Sequence, residues 1–307
     1  MPANDAQRAG RFAPSPTGPL HFGSLVAALA SCCDARARGA RWLVRIEDVD
    51  LPRSVPGATD DILRTLVRYG FAWDGPVERQ SQCAPRYEAA LARLVDAGHA
   101  YPCACTRREL ESAPLGPGGE RIYPGTCRNG VPAGRAGRRQ RAFRVRVGDA
   151  DVSFVDRLQG PQRQRLADEV GDFVVKRADG LFAYQLAVVV DDAQQRVTDV
   201  VRGADLLAST PRQIHLARLL GCAVPTYLHV PIATDRDGQK LSKQTQAPAL
   251  PEDPLPALLA AWRFLDQPMP PNAPRDVASF WRHAIAAWAA KRLPPVPMLP
   301  APSLAFA

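Results

Sequence analysis

The chain has 307 residues, 46% of them hydrophobic and 23% charged, with a formal net charge of +8. That length suits about two domains with cores of their own in an ordinary globular protein. No apolar run approaches the roughly 20 residues that span a bilayer, the first residues MPANDAQRAG lack a signal-peptide core, and seven cysteines, an odd number, argue for a reducing cytoplasm over a disulfide framework.

Residues 11–15 read as a first strand, broken at Pro14 and Pro16, and an Ala-rich helical pattern runs from about residue 24 to 38. Residues 42–46 alternate as a second strand, and 59–69 and 85–97 carry helical spacing, the latter stopped by Gly98. This β-α-β-α order predicts an α/β fold, an open parallel sheet with helices on both faces. Periodicity then breaks over 101–140, which hold cysteines, Gly-Pro clusters and arginines. Strand-like runs follow at 143–147, 152–155 and 172–175, and helix and strand signals resume at 184–190, 197–201 and 211–220. The expectation is a nucleotide-binding sheet split by an inserted α+β domain. Residues 8–100 form its first half, 101–180 the insertion and 181–246 the second half. Residues 247–307, with 13 prolines, form a short helical region with patterns at 255–264 and 277–292. The last dozen residues are expected to be loosely held.

Two elements point to ATP. The first, RFAPSPTGPLHFGS from Arg11 to Ser24, reads as strand, turn and helix start; the second is KLSKQ, from Lys240 to Gln244. A helix N-terminus offers unpaired N–H groups and a positive dipole end to phosphates. Gly18 and Gly23 let the backbone come close, and His21 adds a compact donor. Lys240 and Lys243 carry positive charge on flexible stems, suited to charge that builds as pyrophosphate leaves. Taken singly, each element also fits a plain surface turn.

The stretch from Arg121 to Gly148 contains eight arginines and no acid. One-signed charge of this kind favours a polyanion, although a solvated basic loop gives the same pattern. Within it Arg135, Arg138, Arg139 and Arg141 are the candidate nucleic-acid contacts. Cys103, Cys105 and Cys127 can hold a zinc ion if a fourth donor closes the tetrahedron. No histidine lies between Cys105 and Cys127, which leaves Tyr123 as the fourth candidate. Unligated reduced thiols are the alternative.

The PSPTGPLHFGS element, Arg45-Ile-Glu47-Asp48-Val-Asp50 with Arg53, Asp179-Gly180 through Tyr184 to Asp191-Asp192, Thr198 to Asp205 and Ser209-Thr210-Pro211 together resemble the glutamyl branch of class I aminoacyl-tRNA synthetases. The resemblance covers about residues 11–246 and departs from the family at Gln244 and Phe22. It implies a Rossmann-type catalytic sheet. Thr17, His21, Gly23, Lys240 and Lys243 would serve ATP, which arrives with Mg²⁺. Glutamate, with two carboxylates and an ammonium, needs fork-shaped bases and one acid. Arg11 and Arg202 supply the forks, Glu47 the acid and Tyr184 a phenolic donor, with Phe12, Ala13, Pro14 and Ser15 completing the cradle. A surface ion-pair network of Arg45, Glu47, Asp48 and Arg53 is the competing reading. The short members of this branch share the Cys-x-Cys and Tyr-x-x-x-Cys arrangement, which implies one structural zinc per chain.

Only 63 residues follow Gln244, too few for the family's usual anticodon-reading region. The resemblance is therefore to truncated paralogues that transfer glutamate to queuosine, the modified wobble base of tRNA(Asp). It implies a cytoplasmic, monomeric ligase that binds tRNA(Asp), glutamate and ATP and touches no membrane. Two rivals are a truncated glutamyl-tRNA synthetase charging a 3′ end and an inactive tRNA-binding regulatory paralogue.

Overall fold

The strands Ala9–Phe12, Arg41–Ile46 and Asp199–Gly203 carry almost unbroken buried runs, the pattern of a sheet covered on both faces. The computed structural model describes residues 8–235, 237–241 and 248–302. The chain runs β1 (Ala9–Phe12), α1 (Phe22–Ala37), β2 (Arg41–Ile46), α2 (Ala58–Arg68), β3 (Glu78–Arg79) and α3 (Ala84–Asp96). It continues through β4 (Ala100–Cys103), β5 (Ala142–Val145), β6 (Asp151–Asp156), β7 (Gly160–Arg165), α4 (Leu166–Glu169) and β8 (Phe173–Lys176). Then come α5 (Tyr184–Gln194), β9 (Asp199–Gly203), α6 (Thr210–Leu219), β10 (Thr226–Val230) and β11 (Ile232–Thr234). The last elements are α7 (Pro254–Phe264), α8 (Val277–Ala287) and β12 (Met298–Pro300).

The main sheet has the order β3-β2-β1-β9-β10-β6-β7, parallel throughout except for the β6–β7 hairpin. From β1 the chain builds outward on one side through β2 and β3, and later on the other through β9 and β10. The carboxyl ends of β1 and β9 thus flank a topological switch point, where open α/β sheets place their ligands. The two-residue period of the strands sorts side chains between two cores. Phe12, Val44, Val201 and Leu228 face α1, while Val200 and Tyr227 face α5 and α6. Arg11, Arg45 and Arg202 bond residues of α5 or α6, so the same period aims them at the α5 face.

Residues 101–180 do not stand wholly apart from this sheet. Strands β4, β5 and β8 form a separate antiparallel sheet, whereas β6 joins the main one through the pairing Tyr227↔Asp156. Helices α7 and α8 pack against α1. Their aromatic residues complete its core: Phe71 stacks on Trp42 and meets Trp281 edge-on at 4.8 Å. Gly70 makes that approach possible, because its φ of +74° is left-handed and a Cβ would lie 2.5 Å from Val277 and 2.8 Å from Trp281.

Two expectations about the C-terminal region need correction. The helical pattern over 277–292 ends as a helix at Ala287. Trp288 turns extended and donates its indole N–H to Asp34 at 3.2 Å, so a tertiary contact ends the helix. The final residues are not all loosely held: β12 pairs in parallel with β11, and the Ala301 amide donates to the Thr234 carbonyl at 2.8 Å.

Candidate active site

A cleft of about 800 Å³ opens at the carboxyl ends of the strands. At one end the chain leaves β1, turns through residues 13–20 and enters α1 with His21 as its extended N-cap. No side-chain cap and no acid in the first turn offset the positive end of α1 from within the helix. A Cβ on Gly23 would lie 3.1 Å from the His21 ring, so glycine lets the imidazole fold back over the helix start. The Thr17 amide donates to the Ser15 carbonyl at 2.9 Å, and both residues line the cleft.

Lys240 reaches the same cleft from the far end of the sequence. A turn places it opposite Thr234, and the Leu241 amide donates to the Ala233 carbonyl at 2.9 Å. Lys240 forms an ion pair with Asp205. Leu241 approaches Gly23, and Ala249 bridges to His21, so described residues on both sides of 242–247 lie beside the start of α1. Lys243 and Gln244 lie outside the described residues.

The other end of the cleft holds the charged pocket. Arg45, with no exposed surface, donates to Asp192 at 2.8 Å, Glu47 at 3.3 Å and Gln195 at 2.6 Å. The proposed surface network is therefore a buried one. Asp48 instead accepts from Ser81 at 2.8 and 2.7 Å, and Arg53 stands exposed at the cleft rim. Burial pushes the Glu47 carboxyl above its usual range, opposed by Arg45 and Arg11. Burial acts likewise on Asp192, but Arg11 and Arg45 more than offset it and hold that carboxyl down.

Arg11 and Arg202 turn out to be unlike each other. The Arg11 fork already lies on Asp192, at 3.2 and 3.3 Å. Arg202 finds only neutral partners among the described residues: His229 at 3.0 Å, Tyr184 at 3.2 Å, Thr210 at 2.9 Å, Gln213 at 2.8 Å and the Leu206 carbonyl. It is 5% exposed, so a nearly buried cation is oriented by dipoles and not neutralised by a paired carboxylate. Such a group is poised for an incoming carboxylate. Phe12, Ala13, Pro14 and Ser15 line the cleft between the two arginines and α1. Sequence reasoning gave no role to Asp192, Asp156, His229 or Gln213. The available signal was polar residues inside apolar elements, as in VVVDDA and YLHV, where burial demands a partner.

In the insertion, the Sγ atoms of Cys103, Cys105 and Cys127 lie within 4.8 Å of one another. The Tyr123 hydroxyl lies 3.3 Å from Cys103 and 3.6 Å from Cys105, and Cys105 lies 3.7 Å from Cys127. A tetrahedron with sulfur about 2.3 Å from its centre has edges of about 3.7 Å, so the donor set has the right size for zinc. Arg144 covers the Tyr123 ring at 3.9 Å and reaches Cys103 at 3.4 Å, while Arg135 reaches Cys105 at 3.7 Å. These cations offset the excess negative charge of such a set.

Most arginines of the basic stretch are structural staples. Arg135 and Arg138 pair with Glu109 at 3.1 and 2.7 Å, and Arg141 donates to the carbonyls of Arg138 and Ala136. Arg128 pairs with the buried Asp172 at 2.7 Å. Arg139 is exposed, with no hydrogen bond among the described residues. The charge run therefore overstates the surface on offer to a polyanion.

A parallel sheet with its cleft at the switch point, a His-x-Gly helix start and a lysine turn facing it define the class I aminoacyl-tRNA synthetase catalytic fold. The family model for the catalytic domain of class I tRNA synthetases (E and Q) matches residues 9–253. A glutamyl-Q tRNA(Asp) synthetase of Thiobacillus denitrificans is 57% identical over 98% of this chain and 99% of its own length. One of Burkholderia mallei is 58% identical over 92% of this chain and 96% of its own. The chain belongs to the glutamyl-Q tRNA(Asp) synthetase family. Among solved structures, a glutamate tRNA ligase from Elizabethkingia meningosepticum in complex with its amino acid shares the fold, with a TM-score of 0.80 at 22% identity over 97% of this chain and 67% of that one. A glutamate-tRNA synthetase from Elizabethkingia anophelis gives 0.68 at 26% identity, covering 78% of this chain and 53% of its own.

Proposed function

We propose that the chain activates L-glutamate with ATP and transfers the glutamyl group to queuosine in tRNA(Asp). A glutamate carboxylate oxygen attacks the α-phosphorus of ATP. The bond to the bridging oxygen breaks, and pyrophosphate leaves with its Mg²⁺. A queuosine hydroxyl then attacks the carbonyl carbon of the adenylate, AMP departs, and the hydroxyl proton passes to the departing phosphate. In this reading Arg202 takes one carboxylate of glutamate, Glu47 takes the ammonium, and Tyr184 donates to a substrate oxygen. Arg11 braces Asp192 and completes the wall with residues 12–15. Thr17, His21, Gly23, Lys240 and Lys243 handle the triphosphate. Cys103, Cys105, Cys127 and Tyr123 hold one zinc ion that braces the insertion. Arg139 meets the tRNA backbone from a loop that Arg135, Arg138 and Arg141 shape. The chain works as a cytoplasmic monomer. Among the described residues no helix is long and apolar enough to cross a membrane.

The observation that carries the glutamate reading is Arg202, a nearly buried cation whose partners among the described residues are all neutral, in one cleft with His21 and Lys240. Pyrophosphate exchange without tRNA tests it. Glutamate should support exchange and glutamine little, because losing a charge-assisted contact costs about 1.5–3 kcal/mol, roughly tenfold to 150-fold. Aspartate, one methylene short, cannot bring both carboxylates to their partners. Exchange with glutamine as efficient as with glutamate would overturn the pocket.

A further inference from the structure

We infer that Asp156 and His229 form a tautomer-fixing pair that positions Arg202 and thereby sets the affinity for glutamate, an inference that rests on Arg202 being the carboxylate anchor. His229 sits on β10 directly beside Arg202 on β9 and has no exposed surface. Its Nε2 lies 3.0 Å from the Arg202 Nε and 3.2 Å from the Thr210 hydroxyl. Its Nδ1 lies 2.6 Å from the Asp156 carboxylate. Arginine carries donors only, so the nitrogen facing it must hold a lone pair, and Nδ1 must then carry the proton. Asp156 enforces this choice. One carboxylate oxygen is held by the amides of Leu158, Gln159 and His229 at 3.0, 2.8 and 3.2 Å, which leaves the other to accept Nδ1–H. Both Asp156 and the ring are shut off from solvent.

The pair sits beneath the pocket, away from the cleft, since the cleft lining includes Arg202 and Tyr184 but neither Asp156 nor His229. Both are positioning residues. Burial and the nearby Arg202 lower the imidazole's tendency to take a second proton, opposed by Asp156, which keeps the accepting nitrogen available. Asp156 belongs to β6, whose single pairing with β10 ties the hairpin to the main sheet. The hairpin therefore aims the substrate-binding arginine from two residues away.

Asp156→Asn isolates this role. The asparagine Oδ1 keeps the three backbone amides, so its NH₂ must face Nδ1 and donate to it. The ring proton then moves to Nε2. Thr210 can accept it, but the Arg202 Nε–H loses its acceptor and meets an N–H instead. In ¹⁵N-histidine-labelled full-length protein, with His229→Phe assigning the signal, the wild type should show His229 as the neutral Nδ1–H tautomer and Asp156→Asn as Nε2–H. In pyrophosphate exchange, Asp156→Asn should raise the glutamate KM about tenfold with kcat and the ATP KM held within about twofold, the signature of lost uniform binding. His229→Gln offers Arg202 an acceptor that needs no tautomer, so adding Asp156→Asn to it should change the glutamate KM less than about twofold. An Nε2–H tautomer in the wild type, or a glutamate KM unmoved by Asp156→Asn, overturns the inference. Arg202→Gln separates the two levels. If it raises the glutamate KM while Asp156→Asn does not, the pair has no positioning role but the pocket stands; if it too leaves KM unmoved, the pocket reading itself fails. Should Asp156→Asn be insoluble, the wild-type tautomer still decides, Nδ1–H supporting the pair and Nε2–H overturning it.

Discussion

Glu47 shows how burial sets the working range of a single residue. Its carboxyl lies above the usual range because burial outweighs Arg45 and Arg11. It therefore takes up a proton at a higher pH than an ordinary glutamate, and once neutral it cannot pair with the substrate ammonium. Glutamate binding should weaken as pH falls, beginning above the pH at which an ordinary glutamate takes up its proton, with the glutamate KM rising while exchange at saturation stays nearly level. Glu47→Gln should raise KM at every pH, typically by a factor of about ten or more for a lost charge-assisted contact, and should remove most of this pH dependence. Initial exchange rates at several pH values check both, and a KM that is flat with pH in the wild type would sink the assignment. The lysine turn belongs to the other half of the reaction. Lys243→Ala should lower the exchange rate by roughly 10²–10³, as loss of a transition-state donor does, with little change in glutamate KM. A raised KM alone would give that lysine a different role. That Arg11, His21, Glu47, Tyr184, Arg202 and Lys240 line one cleft was legible in the sequence, but their division of labour was not. Arg11 and Arg202 look equivalent until Asp192, 181 positions along the chain, is seen beneath the first of them.

Among elements, the insertion depends on a cluster that burial alone does not explain. The local cluster around the cysteines comprises Tyr101, Cys103, Tyr123 and Cys127, few side chains to hold the loop from residue 104 to 141, and the proposed zinc would add what packing does not. Purified protein should carry about one zinc per chain, by the four-donor arithmetic of the site. Cys103→Ser and Cys127→Ser should release it, as metal analysis would show. Full occupancy after either change would exclude that residue as a ligand. Tyr123→Phe should weaken the site without emptying it, since water can replace the phenolate. Arg139→Ala should weaken tRNA binding and reduce the salt slope by about one, leaving tRNA-free exchange intact. The clustering of the three cysteines was suggested by their spacing only loosely, and more firmly by the resemblance to the short glutamyl-type enzymes. The pairing of β12 with β11 and the end of α8 at Ala287 were not legible, because both are set by contacts with distant segments: Pro300 with Thr234, and Trp288 with Asp34.

At the scale of the whole molecule, the question is where the activated glutamate goes. The helices beyond the lysine turn do not form a separate module among the described residues. Trp262, Phe264, Phe280 and Trp281 are buried in the core shared with α1 and β2, and the α8 capping box at Asp276 and Ser279 fixes its entry. Their apolar surface is used in completing the catalytic domain. In the proposed reaction the acceptor hydroxyl comes to the activation cleft, whose rim carries the exposed Arg53 and the half-buried Arg177. An anticodon loop can do this, since its unstacked bases can be splayed into a pocket while its backbone meets surface cations. Labelled glutamate should accordingly appear on tRNA(Asp) that carries queuosine and not on tRNA(Asp) that lacks it. Removing the 3′-terminal adenosine should leave the yield unchanged, because the 3′ ribose takes no part. The transfer should fall with rising salt more steeply than pyrophosphate exchange does, since only the tRNA step releases counterions. Efficient glutamylation of tRNA(Glu) at its 3′ end, lost on removing that adenosine and indifferent to queuosine, would mean that the cleft receives an acceptor arm and would return the chain to the charging synthetases.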